Sequence, residues 1–386
     1  MPNLTAFIKI AELWFGYWTA SVSQNKDSVK YYLAIIIILF SNSASAQTQD
    51  VWIRFFDTTT QLSGYKDLKG NIKLPAKFGD LSGADSFYHI IAVTEVTKDS
   101  YQRYYLLKDG RKVGHDSVYV AQWDPFFDCE SEGKIIFKDW KADKEGFLDK
   151  NGMVIIPAMY NYVTPFRNGL AVARQGAKKD CWDSVNCEMY GWIGGDLFLI
   201  NDRNEILADI AGVDYYDIDW YSKKENEAVD TSIYISFKGR NNITYSFLNH
   251  QKEFNHWFYH AFLPQISSLE KFVFDEMRYS IGDLEEVTVS KKTFLKLFSR
   301  KITSKRFEPT NLKEVSLYED QLFFDSKIFN KYRTACGLHN RERFPLYDVM
   351  ITYHKTPQKE SLDISQEHFK FLRTENGYKL ISISLK

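Results

Sequence analysis

The stretch Gly146–Val172, GFLDKNGMVIIPAMYNYVTPFRNGLAV, sets the tightest limit on how this chain can fold. Two apolar runs, a turn sequence, two prolines and a second glycine turn share one short segment, and a helix does not survive such punctuation. Asp149-Lys150-Asn151-Gly152 is turn chemistry: the Asp carboxylate bonds backbone ahead of it, and Gly152 supplies a positive φ. Met153–Ile156 read as the return strand, ended by Pro157, which has no N–H for the ladder. Asn168-Gly169 then turn the chain into Leu170-Ala171-Val172. The same order stands in GYKDLKGNIKLPAKF, Gly64–Phe78, where Gly64, Asp67, Gly70 and Pro75 take the places of Gly146, Asp149, Gly152 and Pro157. Phe87 precedes Ala92-Val93 as Phe166 precedes Ala171-Val172. Weaker copies are YLLKDGRKVG from Tyr105, with Gly110 at the turn, and FLINDRNEIL from Phe198, with Asn204 replacing glycine. A fragment, FLNHQKEF, begins at Phe247. One such hairpin cannot bury both its faces, so copies must stack and share cores. The expected fold is a β-rich repeat domain, an antiparallel hairpin array that is propeller-like or a curved meander, followed by a C-terminal α+β domain.

The pattern Gly-aromatic-aliphatic-Asp-x-x-Gly, an aliphatic run to Pro-Ala, then Pro-Phe-x-x-Gly-Leu-Ala-Val resembles the bacterial WG repeat. The resemblance covers about residues 60–255, is closest in Gly146–Val172, and loses the Pro-Ala step in the second, fourth and fifth copies. It implies β-hairpin units in an exported or surface protein and carries no catalytic residues.

Near the N-terminus, Lys30 precedes the apolar run Tyr31–Phe40, and Ala44-Ser45-Ala46 precede Gln47. This is the shape of a secretory signal, too short to span a bilayer stably. Residues 29–46 are expected to be the signal peptide, cleaved between Ala46 and Gln47, and residues 1–28 a non-native extension. The mature protein is then periplasmic or extracellular, with no stable membrane span. In an oxidising compartment Cys181 and Cys187, six residues apart in CWDSVNC, are expected to pair; whether Cys129 and Cys336 meet is open at this stage. A net charge of -1 gives no basic field for nucleic acid.

Past His250 the periodicity becomes helical, marking residues 47–249 and 250–386 as separate regions. In SKKTFLKLFSRK, Phe294, Leu297 and Phe298 share a helical face behind a Ser290 cap. DVMITYHK reads as a strand, and HFKFLRTENGYKLISISL as a hairpin turning at Glu375-Asn376-Gly377 within a final antiparallel sheet. That ending resembles small cone-shaped domains of the nuclear-transport-factor-like superfamily.

The chain has no GxGxxG, phosphate loop, GxSxG or HExxH motif, so no cofactor and no catalytic residue is expected. In HQKEFNHWFYH, with His250 and Glu253, the pair His256 and His260 has metal-ligand spacing on a helix. No third ligand is evident, so ordinary helix positions are the preferred reading. Glu285-Glu286 reads as surface charge. In DYYDIDWY, Tyr215, Tyr216, Trp220 and Tyr221 interleave with aspartates. They form either a platform for a protein or glycan of the cell envelope, or a strand with its rings inside and its aspartates outside; alternation favours the strand. The functional expectation is an exported, non-enzymatic binding or scaffolding protein. The alternative is an enzyme or small-ligand protein with its pocket in residues 250–386.

Overall fold

A computed structural model describes residues 50–79, 83–98, 100–114, 119–123, 126–182, 187, 190–320, 327–355 and 364–386. The leader and its Ala46–Gln47 site lie outside the described residues. Residues 51–386 form one compact unit.

The first half is built from three-stranded antiparallel units. Trp52–Asp57, Leu62–Asp67 and Ile72–Phe78 make the first. Ile90–Val96, Tyr101–Leu107 and Lys112–Val113 make the second, and Lys134–Asp139, Lys144–Asp149 and Val154–Tyr160 the third. The fourth is Leu170–Gln175, Asp196–Asn201 and Ile206–Asp209. The fifth is Ile218–Glu225, Tyr234–Lys238 and Thr244–Asn249, with the last strand in the middle. Among the described residues these sheets form neither a closed barrel nor a propeller.

Alternation explains why the strands are apolar on both sides. Ile91, Val93, Tyr104 and Leu106 face the core with the first unit, while Ile90, Ala92, Tyr105 and Leu107 face the third. Ile136 and Phe147 point the other way from Ile135, Phe137 and Leu148, into a core with Ala171, Ala173, Phe198 and Ile200. Leu170, Val172, Leu197 and Leu199 then meet Trp220, Phe237 and Phe247 of the fifth unit. Each inner sheet is thus buried on both faces, which a lone hairpin cannot achieve.

The hairpin turns follow one backbone rule. At Asp149 the carboxylate Oδ1 accepts from the N–H groups of Asn151 and Met153, both at 2.9 Å, and Gly152 has φ +78°. Asp67 repeats this with Lys69 and Asn71, and Asn201 with Arg203 and Glu205. Asn204 holds φ +63° in the glycine place, consistent with its tolerance of the left-handed region. The fifth turn is Gly239–Ile243, with Asn242 at φ +62°. The expected fifth copy at Phe247 is therefore corrected: Phe247–Asn249 end a strand, and His250 starts a helix capped by the Asn249 side chain.

Pro157 does not end its strand. The strand runs on to Tyr160, and the register shifts around the proline, where Phe147 pairs with Ile156 and Glu145 with Tyr160. A residue without an N–H fits a bulge as well as a strand end. Gly146 lies opposite: a Cβ there would stand 2.4 Å from the Ile156 carbonyl oxygen and 2.7 Å from the Pro157 carbonyl carbon. Gly64 meets Leu74 the same way, at 2.6 Å.

Beyond Asn249 the helix His250–Trp257 continues through a wider turn, Phe258–Phe262, and buries Phe254, Phe258 and Phe262. A second helix, Lys291–Phe298, is capped by Ser290 and buries Phe294 and Phe298, whereas Leu297 is exposed and Leu295 turns inward. Both pack on one face of a six-stranded sheet. That sheet is mixed: Val273–Ile281 pairs in parallel with Gly377–Leu385, correcting the antiparallel expectation. The long path between these strands leaves their relative direction free, unlike a hairpin. Ile364–Thr374 and Gly377–Leu385 do form the hairpin turning at Glu375-Asn376, with Gly377 at φ +79°. Among the described residues no helix is long and apolar enough to cross a membrane.

Candidate functional site

The segment Lys327–Phe344 ties the C-terminal sheet to the repeat units. Ser86 N–H donates to the Ala335 carbonyl at 3.0 Å. Cys336 is bonded to Cys129, between the second and third units. Arg167, from the turn that opens the fourth unit, pairs with Glu342. A cleft of about 540 Å³ lies between this segment and the array, lined by Tyr88, Tyr162, Arg167, Tyr221, Leu338 and Glu342 among others.

Most charged groups of the cleft are already engaged. Glu130 accepts from the N–H groups of His89 and Ile90 and meets His89 Nδ1 at 2.5 Å. Glu132 accepts from the N–H groups of Asn168 and Gly169 at 2.6 and 2.8 Å. The Ser131 hydroxyl donates to the Phe166 carbonyl and accepts from Arg167. Asp128 accepts from Ile136 N–H, and burial pushes its carboxyl up to about 7. His339 sits with Nε2 2.6 Å from the Phe344 carbonyl oxygen, and burial pulls it down to about 4. Tyr221 and Leu338 are among the exposed side chains of its lining. That combination suits recognition by packing and hydrogen bonding.

The four aromatics singled out in sequence divide. Trp220 is a core residue, 5% exposed, packed edge-on against Phe247 at 5.2 Å. It is therefore not part of a platform. Tyr215, Tyr216 and Tyr162 cluster, with the Tyr162 and Tyr216 hydroxyls 3.1 Å apart. Arg341 lies 5.0 Å over the Tyr216 ring, and Arg343 5.0 Å over Tyr221. The strand reading holds for Trp220 inside and Asp214 outside, but Asp219 is buried and bonded by Arg373 Nη1 at 2.8 Å. Arg373 also meets Glu253 at 3.0 Å.

His256 and His260 lie side by side with tilted rings, centroids 4.6 Å apart, on the exposed side of their helix. Among the described residues no three His, Cys, Asp or Glu side chains are placed to share a metal ion. His250 is buried, its Nε2 3.0 Å from the Glu342 carbonyl oxygen. Glu286 pairs with Arg278 at 3.3 Å, and Glu285 is exposed.

Cys181 and Cys187 are bonded. They close an outgrowth between the fourth unit's first two strands, with its own hairpin, Lys178–Cys181 and Tyr190–Ile193. Trp182 on it and Trp140 on the neighbouring turn are exposed. Asp143 holds the hairpin to that turn, 2.9 Å from Lys138 and 2.8 Å from Lys179. A second concavity lies on the C-terminal sheet, where Tyr318, Asp320, Asp348, His368 and Lys370 converge. Sequence reasoning missed this group, although Asp348, His368 and Lys370 sit at alternate positions of strands that otherwise bury Tyr347, Val349 and Phe369.

Residues 146–178 match the family described as WG containing repeat. The match begins in the middle strand of the third unit and ends just past the first strand of the fourth, one full period of the array. No curated protein and no solved structure matches the chain.

Proposed function

We propose that the protein is exported and acts as a non-enzymatic binding module, with the repeat array as scaffold and the cleft as the site for a protein or glycan of the cell envelope. The observation that carries this reading is the cleft between the array and Arg333–Glu342, whose walls are joined by the Cys129–Cys336 bond and the Arg167–Glu342 pair. Walls fixed before binding lose little freedom on binding. Two disulfides accord with an oxidising compartment. Ser131, Glu130 and Glu132 are each engaged in hydrogen bonds to the backbone, which supports a structural role for them.

The test is capture from the envelope fraction by immobilised protein, wild type against Tyr221→Ala and Leu338→Arg. Loss of an aromatic anchor costs about 2 kcal/mol or more, roughly a 30-fold weakening. Undiminished capture by both variants, with unchanged melting, overturns the cleft as the site. A second reading, a small-ligand or enzymatic pocket in residues 250–386, is favoured by the Asp348–His368 pair on the C-terminal sheet.

A further inference from the structure

The two faces of the six-stranded sheet differ in kind. One carries Tyr347, Val349, Ile351, Phe369 and Phe371 into the helices. The other places Tyr318 opposite Asp348, Asp348 opposite Lys370, and Lys370 opposite Ser382, with His368 opposite Ser384 in the next row. With Ser280, Glu286 and Asp320 these residues line a groove of about 340 Å³.

An ordinary solvated sheet face leaves its polar tips in water. Here Asp348 is 2% exposed, and the side chains of Asp320 and Lys370 only 11% and 17%. Burying such groups is costly unless they are paired. Most are: Asp348 Oδ2 lies 2.7 Å from His368 Nδ1 and accepts from the Tyr318 hydroxyl at 3.1 Å. Lys370 Nζ meets Asp320 at 2.7 Å, and Ser280 donates to Ser384 at 2.9 Å. Asp348 Oδ1 itself is buried with no hydrogen-bond partner among the described residues.

We infer that this groove binds a small neutral polyhydroxylated ligand of monosaccharide size. Its volume lies at the small end of ligand pockets. Its lining offers acceptors, Asp348 and Asp320, beside donors and mixed groups, Lys370, Tyr318 and the three serines. A hydroxyl both donates and accepts, so a polyol matches neighbouring groups of either kind. An anion would lie among the carboxylates of Glu286, Asp320 and Asp348. An ammonium would lie beside Lys370 and could accept nothing from it. Asp348 Oδ2 holds both His368 and Tyr318 in place at the groove, the positioning that preorganised polar sites use.

This inference rests on the second reading above and is independent of the cleft. The experiment is titration of the purified full chain with glucose, galactose, mannose and arabinose, read by saturation-transfer NMR and calorimetry, with putrescine and glucuronate as charged comparisons. At least one neutral sugar should bind saturably, and Asp348→Asn or His368→Gln should weaken it about tenfold, the loss typical of a hydrogen bond to a charged group. Ser384→Ala, a change too small to threaten folding, should weaken it several-fold. No saturable neutral sugar up to tens of millimolar overturns the inference. So does putrescine or glucuronate binding alone, or an affinity that Ser384→Ala and a folded Asp348 or His368 variant leave unchanged. None of these outcomes bears on capture through the cleft.

Discussion

Replacing Gly146 with alanine probes the repeat where its geometry is least forgiving. The new Cβ would stand 2.4, 2.7 and 2.8 Å from the Ile156 oxygen, Pro157 carbon and Ala158 nitrogen. All three are backbone atoms of the bulged partner strand, so no side-chain rotation relieves them. The strand must move, and with it the Phe147–Ile156 pairing that fills the core between the third and fourth units. Overpacking of this kind costs about 3 kcal/mol, the upper end of the usual range. Gly110→Ala is the informative contrast: Gly110 has φ +87° and nothing within 4 Å of an added Cβ. Only the left-handed penalty applies there, roughly 1–2 kcal/mol. Gly110→Asn should cost less still, because Asn204 and Asn242 hold the same turn position at φ +63° and +62°. Urea unfolding followed by tryptophan fluorescence should therefore rank wild type, Gly110→Asn, Gly110→Ala and Gly146→Ala in falling order, with similar slopes. A Gly146→Ala protein within about 0.5 kcal/mol of wild type, the range of an ordinary surface change, would refute the bulge argument.

Stability should also depend on pH with two opposed windows. Burial raises Asp128 and Glu145 to about 7, so their contribution is full below the unfolded values near 4 and is lost as pH rises through 7. Glu95, held near 2 chiefly by the Lys112 hydrogen bond, contributes above its unfolded value and is lost as pH falls towards 2. Melting temperature should thus fall between pH 5 and 8, and Asp128→Asn should flatten that fall; a curve unaffected by the substitution would contradict the assignment. Arg373→Met leaves Asp219 and Glu253 without their shared cation and should cost about 3–5 kcal/mol in urea unfolding, with Arg373→Lys less severe. Removing the Cys129–Cys336 bond, which closes 207 residues, should cost about 5 kcal/mol, against about 2 for the Cys181–Cys187 bond, which closes 6. Equal losses in the two double-serine variants would count against the chain-entropy account.

What could be read in the sequence was what is decided locally. Gly152 and Gly70 announce their turns because the backbone there has a positive φ, and Asp149 and Asp67 because their carboxylates bond the next few N–H groups. Pro157 was ambiguous by its chemistry, since a missing N–H suits a strand end and a bulge alike. The fifth turn was hidden because Gly239 stands where Asp149 or Asn201 stands in the others, and Asn242 where Gly152 does. Contacts between distant residues left no local trace. Alternation places Trp220 inside but cannot show that Arg373, far along the chain, draws Asp219 inside as well. Nor can it show that Cys336 returns to Cys129, the contact that joins the walls of the cleft. The polar face of the C-terminal sheet resembles a solvated face in pattern, and the burial of Asp348, Ser382, Asp320 and Lys370 sets it apart.

The most direct test of the binding account is a photo-crosslinking residue, p-benzoylphenylalanine, placed at Leu338 in the cleft and, as a control, at Ile72 on a distant exposed strand. In the native host, illumination should give one discrete adduct at Leu338 that disappears when Tyr221→Ala is added, and none at Ile72. Adducts of equal yield at both positions, or an adduct at Leu338 that persists in the Tyr221 variant, would contradict it.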